Sequence, residues 1–364
     1  MVREKNALSF IAPYKAGKPI DEVKREFGIS DVVKLASNEN PYGASPLATD
    51  AAKKALESLN IYPDSSSYDL RKALSDKHGL SEDMFVFGTG SDGLIELLCK
   101  TFIEPGDEAV IPFPSFSLYE TNVTASNGIP VRVPLRADFA MDLTAMKNAI
   151  TDKTKMIWLC NPNNPTGAIY GNDEQKEFIE SVSEDILIVI DEAYYEYALS
   201  CEKYPDSQSL LNEHKNIIIL RTFSKIYGLA ALRVGYAMAD SSIINSMNKI
   251  RAPFNVNSIA QAAAKAALCD TAFTQETLKK NEENKLYLYR EFDKLGMPYI
   301  KSYTNFVMVD TKRDSMQIYV ELLKKGYIVK GGHVLGMDGY LRVTIGTKEE
   351  CEGFISALKE IINK

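Results

Sequence analysis

The sequence predicts an α/β protein: a largely parallel sheet covered by helices on both faces, followed by a smaller α+β body. Three observations carry this expectation. Short, continuously apolar runs alternate with helical apolar spacing through the middle of the 364-residue chain, as strands buried on both faces require. Polar residues fall just past the ends of those runs, where open α/β sheets bind ligands. From about Ser258 the character changes to an alanine-rich stretch, and two further strand-like runs follow, each with its own helical segment.

Taken in order, Phe85–Phe87 reads as a buried strand running into the turn GTGSDG. A helix follows, with Leu94, Ile95, Leu97, Leu98 and Phe102 at helical spacing. EPGD at 104–107 stops that helix and Ala109–Ile111 starts the next strand. Met156–Cys160, Ile186–Ile190, Ile217–Leu220 and Val234–Met238 continue the series. AQAAAKAAL opens a helical region reaching about Leu295, expected to connect two domains. FVMVD and LRVTI then supply strands of the small domain. These shifts divide the chain into an arm with part of the small domain at 1–35, a large domain at 36–260, and a connecting helix with the small domain at 261–364.

Composition narrows the function. Lys and Arg number 42 against 49 Asp and Glu, a formal charge of −7 without a basic stripe, so neither nucleic acid nor an anionic membrane is an expected partner. Five cysteines lack a Cys-x-x-Cys pair and three histidines lack ligand spacing, so free thiols in a reducing cytoplasm are expected and a metal site is not. The opening MVREKNALSF has no apolar signal region, and no apolar run reaches membrane-spanning length.

The most informative stretch is TFSKIYGLAALRVGY at 222–236, directly after the run Ile217–Leu220. Lys225 in a dry pocket makes sense as an imine-forming amine. Ser224 and Arg233 make sense as holders of a nearby phosphate, and together the three suggest pyridoxal phosphate. Most lysines and arginines are solvated surface charges, so the reading depends on matching groups elsewhere. Ser91 and Asp92, Asn161 to Asn164, and Asp191 each follow a different strand and converge on the same sheet edge. Ordinary uses compete at each position: a helix cap for Ser91 or Asp92, a turn beside proline for the asparagines, a strand-end cap for Asp191.

SNENPYG, NPNNPTG, DEAY, TFSKIYGLAALRVGY and LRVTIG stand in an order and spacing that resemble the histidinol-phosphate aminotransferase family of fold-type I pyridoxal-phosphate enzymes. The similarity runs from residue 37 to 346. It implies a large cofactor-binding domain with a mostly parallel seven-stranded sheet, and a smaller α+β domain. It implies Lys225 as the amine that captures the cofactor aldehyde and then shuttles a proton, and Asp191 as partner of the pyridine nitrogen. By the same resemblance Tyr194 and Asn164 bond the cofactor's phenolic oxygen; the residues alone leave Asn161, Asn163 and Asn164 open. Phe116 stacks on the ring where tyrosine is usual. Backbone groups of Ser91 and Asp92, with Thr222, Ser224 and Arg233, hold the phosphate. Gly93 stands where the family often has glutamate.

For substrate the resemblance implies Arg342 as a bidentate clamp, with Asn38, Tyr14, Tyr62 from the partner subunit, and Lys330 around it. Arginine is usual at position 330, and lysine keeps the charge but not the fork. The implied reaction exchanges the amine of L-glutamate with imidazole-acetol phosphate in a cytoplasmic homodimer with a shared active site. An aromatic amino-acid aminotransferase is the closest rival. A phosphothreonine decarboxylase and a regulatory cofactor-binding module rank below it.

Overall fold

The computed structural model describes residues 2–13 and 17–363. Among the described residues twelve strands follow in chain order: β1 (Val33–Lys34), β2 (Phe85–Gly88), β3 (Glu108–Phe113), β4 (Ile129–Pro134), β5 (Thr154–Cys160), β6 (Leu187–Asp191), β7 (Ile217–Thr222), β8 (Gly235–Ala239), β9 (Phe306–Asp310), β10 (Tyr327–Ile328), β11 (Lys330–Gly331) and β12 (Tyr340–Thr344).

Seven of them form the main sheet in the order β2-β8-β7-β6-β5-β3-β4. All neighbours pair in parallel except around β8, which runs antiparallel to both β7 and β2. The direction of β8 follows from its connection. A parallel neighbour needs a crossover of a dozen or more residues, usually a helix. The segment after Thr222 holds only the short 3-10 turn Ala230–Leu232 before β8 begins. The chain therefore doubles back, and the start of β8 lands at the edge where the other strands end.

The strand β4 left no clear trace in the sequence. IPVRVP lies at the sheet edge, pairs only with β3, and is buried on one face alone. Its Pro130 and Pro134 withhold amide donors where no further strand follows, and edge strands tolerate this.

The central strands have the burial their runs predict. Every residue of β6, β7 and β8 is buried. Ile157, Leu159, Ile188, Ile190, Ile217 and Ile219 face one helical layer, while Met156, Trp158, Val189, Ile218 and Leu220 face the other. Burying each such side chain stabilises the sheet by about 1.5–3 kcal/mol, which makes it a rigid base for groups at its edge.

The expected connecting helix is broken in two, Ser258–Cys269 and Thr271–Lys294. At the break Asp270 caps the second helix by accepting from the Phe273 amide at 3.2 Å, and it receives the Ser45 hydroxyl at 2.6 Å. Ala260, Ala263, Ala264 and Ala267 of the first helix pack into the main core, so its small side chains serve close approach to the helix Pro46–Ala55. A second, antiparallel sheet has the order β11-β12-β9. Beside it β1 pairs in parallel with β10, and Val23 of the helix Ile20–Phe27 packs against Leu323 and Ile328. Residues 20–34 thus pack beside the second sheet, while the 3-10 turn Asn6–Phe10 lies against the helix Leu118–Ala125 of the main-sheet body. Among the described residues no helix is long and apolar enough to cross a membrane.

Candidate active site

Because six strands of one direction end at one edge and β8 starts there, the residues flanking those ends are brought together from distant parts of the chain. Register makes this concrete: Cys160 pairs with Asp191, Asp191 with Leu220, and Gly235 with both Thr222 and Gly88. Thr89 to Asp92, Asn161 to Asn164, Asp191 to Tyr194 and Thr222 to Arg233 therefore share a rim.

One end of this rim is a cradle for an anion. The helix Gly90–Phe102 starts with Thr89 as N-cap, so the amides of Gly90, Ser91 and Asp92 lie in its first turn, where no helical acceptor exists and the dipole favours negative charge. Arg233 closes the cradle. Its Nη1 donates to Ser224 Oγ at 3.3 Å, and its Nη2 bonds Asp92 Oδ2 at 3.1 Å and lies 3.5 Å from Thr89 O. The Asp92 carboxylate thus orients the arginine, a use additional to the backbone contact expected of it. Thr222 Oγ1 donates to Ser224 Oγ at 3.0 Å and accepts from the Ser224 amide at 3.1 Å, fixing that hydroxyl. Arg233 itself holds a left-handed backbone, φ 54°, an uncommon state for a residue other than glycine that is often found at functional positions. Gly90 has φ 74°, and a Cβ there would lie 2.5 Å from Arg233 Nη2. Only glycine leaves the cradle open.

Asp191 stands at the end of β6, buried. Its Oδ2 accepts from the Tyr119 hydroxyl at 2.6 Å and its Oδ1 from the Ala193 amide at 3.1 Å. Burial pushes its carboxyl up to about 6, against these two bonds. At neutral pH it is mostly ionised yet poorly solvated, a state that favours a cationic partner. Phe116 is half-buried and meets Tyr119 edge-on, centroids 5.7 Å apart.

Lys225 follows β7. Its Nζ donates to Ser37 O at 3.4 Å and lies 5.6 Å from the Tyr194 ring centroid. Burial, aided by the positive charge of Arg342, pulls this amine down to about 8, with Asp92 and Glu39 opposing. The segment is locked against SNENPYG: Gly228 has φ 70°, and a Cβ there would sit 2.0 Å from Gly43 O. Tyr194 is buried, accepts from Asn38 Nδ2 at 2.8 Å, and meets Phe306 edge-on. Asn38 is fixed in turn by Thr344, whose Oγ1 donates to Asn38 Oδ1 at 3.1 Å and accepts from its amide at 3.0 Å.

Arg342 in β12 reaches across from the second sheet. Its Nη1 donates to Asn164 Oδ1 at 2.6 Å and its Nη2 to Ala36 O at 2.8 Å. Of the three candidate asparagines, Asn163 bonds Pro114 O and Thr166 and accepts from Ser115, while Asn161 turns toward Tyr170 O. Only Asn164 of the three engages Arg342. Lys330 lies directly opposite Arg342 in the β11–β12 register, and both are buried. Burial and the Arg342 charge pull the Lys330 amine down to about 8.

One substrate candidate stands apart: Tyr62 is 80% exposed and its ring stacks on Phe254 at 4.8 Å. Tyr14 lies outside the described residues. Sequence reasoning overlooked Tyr119 and Thr344. Tyr119 follows Phe116 by three residues and donates its amide to Phe116 O at 3.2 Å. The i, i+3 relation that brings helical residues to one face was the available signal. Thr344 carried none, since it stands in an apolar strand.

The donor set fits an elongated group with a phosphate at one end and a basic ring nitrogen at the other. The cradle takes the anion, Asp191 the nitrogen, and Lys225 offers an amine of lowered basicity. Comparison with known proteins agrees. The family model for aminotransferase class I and II matches residues 30–358. A histidinol-phosphate aminotransferase of Moorella thermoacetica is 47% identical, covering 98% of this chain and 92% of its own. Histidinol-phosphate aminotransferase 2 of Carboxydothermus hydrogenoformans is 44% identical, covering 100% and 99%. Among solved structures, the histidinol-phosphate aminotransferase of Sinorhizobium meliloti in complex with pyridoxal-5′-phosphate superposes with a TM-score of 0.92 at 28% identity, covering 100% and 98%.

Proposed function

The chain belongs to the aminotransferase class I and II family, and from that premise we propose that it binds pyridoxal 5′-phosphate and transfers an amine between L-glutamate and imidazole-acetol phosphate, giving 2-oxoglutarate and L-histidinol phosphate reversibly. The observation that carries the reading is one rim holding the Arg233 cradle, the buried Asp191 carboxylate and the Lys225 amine. The relatives at 44–47% identity supply the substrate.

When bound, the cofactor supplies an aldehyde that captures amines and a ring that accepts an electron pair. The residues do the rest. Ser224, Arg233 and the amides after Thr89 hold the phosphate. Asp191 holds a proton on the ring nitrogen, and Tyr194 and Asn164 stabilise the phenolic oxygen. Phe116 covers the ring face. Lys225 Nζ, its basicity lowered so that a part of it is neutral near pH 7, moves the proton on and off the carbon that bears the substrate amine.

Arg342 and Lys330, two buried cations in direct register, are the substrate's anion site. Facing like charges in a poorly solvated place repel each other, and a carboxylate or phosphate between them relieves that repulsion. Asn38 lines the same place. Tyr62 is assigned to the other subunit's site in a homodimer; its exposure beside Leu59 and Ile61, also exposed, supports this. A cytoplasmic location completes the reading, supported by five free cysteines.

The deciding experiment compares kcat/KM on L-histidinol phosphate and L-phenylalanine, with 2-oxoglutarate as acceptor. Preference for histidinol phosphate of at least about 100-fold is expected, the discrimination that a lost charged contact produces. Equal or reversed preference assigns the protein to aromatic amino acids, and turnover without an acceptor assigns it to decarboxylation.

A pH dependence follows from the Lys225 amine. Only the neutral form attacks an aldehyde, and a lysine with lowered pKa is neutral from a lower pH upward. The rate of cofactor capture by the apoprotein, followed by stopped-flow absorbance, is expected to rise with pH to a midpoint near 8 and flatten above it. An ordinary lysine would keep rising to about 10.4, and that outcome would contradict the burial argument.

A further inference from the structure

We propose that Tyr119 is a positioning residue for the cofactor: its hydroxyl holds the Asp191 carboxylate as a fixed, charged acceptor for the ring nitrogen. The inference rests on the cofactor reading above and adds a residue to it.

The geometry leaves Tyr119 little freedom. It is fully buried, its ring stacks on Trp158 at 4.5 Å with planes 16° apart, and Phe116 abuts it edge-on. The hydroxyl therefore has one fixed place, 2.6 Å from Asp191 Oδ2. A contact of that length between a hydroxyl and a carboxylate is charge-assisted. The Ala193 amide takes the other oxygen, Oδ1. Each oxygen thus uses one lone pair inward, and the remaining ones stay available to a ligand.

Electrostatics assigns the proton. Burial, with the nearby Asp191 charge, raises the Tyr119 phenol well above its ordinary value, so it remains a donor throughout the working range. Burial also raises Asp191, to about 6, and the bonds from Tyr119 and Ala193 oppose that rise. The other ionisable groups acting on Asp191 are Asp92 and Glu192, which push it further up. Cys160, its partner across the strand, is pushed to about 12 and stays neutral. Without the Tyr119 hydroxyl, Asp191 would hold its proton more tightly and grip a protonated ring nitrogen less well.

Trp158 is the sole tryptophan of the chain, and it touches Tyr119 directly. Its fluorescence, quenched as pyridoxal phosphate enters, reports cofactor affinity without any turnover. Tyr119→Phe keeps the ring and its stacking and removes only the hydroxyl. Loss of one hydrogen bond to a charged group is expected to raise the cofactor Kd about 10- to 100-fold. The pH midpoint of the bound cofactor's absorbance is expected to move upward, because a less protonated ring repels the neighbouring cation less.

The same substitution in an Asp191→Asn background separates positioning from packing. There it is expected to change Kd by no more than about twofold, as for uncoupled sites. Parent-like affinity and midpoint in Tyr119→Phe would overturn the proposal. So would an equal loss in both backgrounds, accompanied by a lower melting temperature of the apoprotein, since that marks a packing role. If the unsubstituted protein neither quenches nor gains the absorbance band, the cofactor reading itself fails, and this inference with it.

Discussion

Lys225→Ala is expected to remove the absorbance band of the covalently attached cofactor and to lower kcat by about 10⁴-fold, the upper range for loss of a positioned general acid–base group. Two properties single out this amine. It is held among Ser37, Tyr194, Arg342 and Asp92 in a place that lowers its basicity to about 8, and it follows the strand β7 whose end lies one pairing away from Asp191. Truncation should leave the fold intact, because Phe223 and Ile226 on either side are fully buried and carry the packing. The phosphate cradle also survives, so the cofactor still binds, more weakly and without a covalent attachment. Addition of a small amine such as methylamine is expected to restore part of the turnover, which a collapsed site would not permit. The measurements are the absorbance spectrum and single-turnover rate of the purified variant. Turnover within tenfold of the parent would assign the proton transfer to another group.

The largest effect on stability is expected at Glu192, which faces the opposite layer from Asp191. Glu192 and Arg221 are 1% and 4% exposed at their side chains, and Glu192 Oε2 receives both Arg221 Nε at 2.9 Å and Nη2 at 2.8 Å. The guanidinium also lies 3.4 Å from the centroid of the Tyr195 ring. Burial alone would lower the arginine's pKa; the charge of Glu192, with smaller help from Glu196, raises it well above the ordinary value. Glu192→Ala strands that cation, and breaking one side of a buried pair typically costs about 3–5 kcal/mol. Against a total stability of about 5–15 kcal/mol, the fraction folded should fall measurably. The expected result is a lower urea midpoint for Glu192→Ala. The double variant Glu192→Met with Arg221→Met should recover most of the loss, because the desolvation of both charges disappears with them. A single-variant change below about 1 kcal/mol would mean that water or Glu196 reaches the guanidinium, as at an exposed pair.

Much of the fold was legible in local pattern. Met156–Cys160 and Ile217–Leu220 are continuous apolar runs because both faces of their strands are covered, and that need is written residue by residue. The polar residues after them stand out for the same reason, since nothing in a buried strand requires Asp191 or Lys225. The strand β4 escaped notice because an edge needs neither full burial nor amide donors. The helix break at Asp270 also escaped notice, since one capping side chain can end a helix whose apolar spacing continues.

The sequence by itself determined which residues are chemically out of place, Lys225, Asp191, Arg233 and Arg342 among them, and the order in which they occur. Tertiary structure alone decided what each one faces. Lys225 meets Ser37 across 188 residues and Arg342 meets Ala36 across 306, contacts fixed by strand order and by the reversal of β8. Tyr119 gained its place beside Asp191 in the same way. Periodicity reports the environment that a residue needs, because burial acts on each side chain separately. Which partner fills that environment depends on how the layers stack, and that is set by the whole core at once.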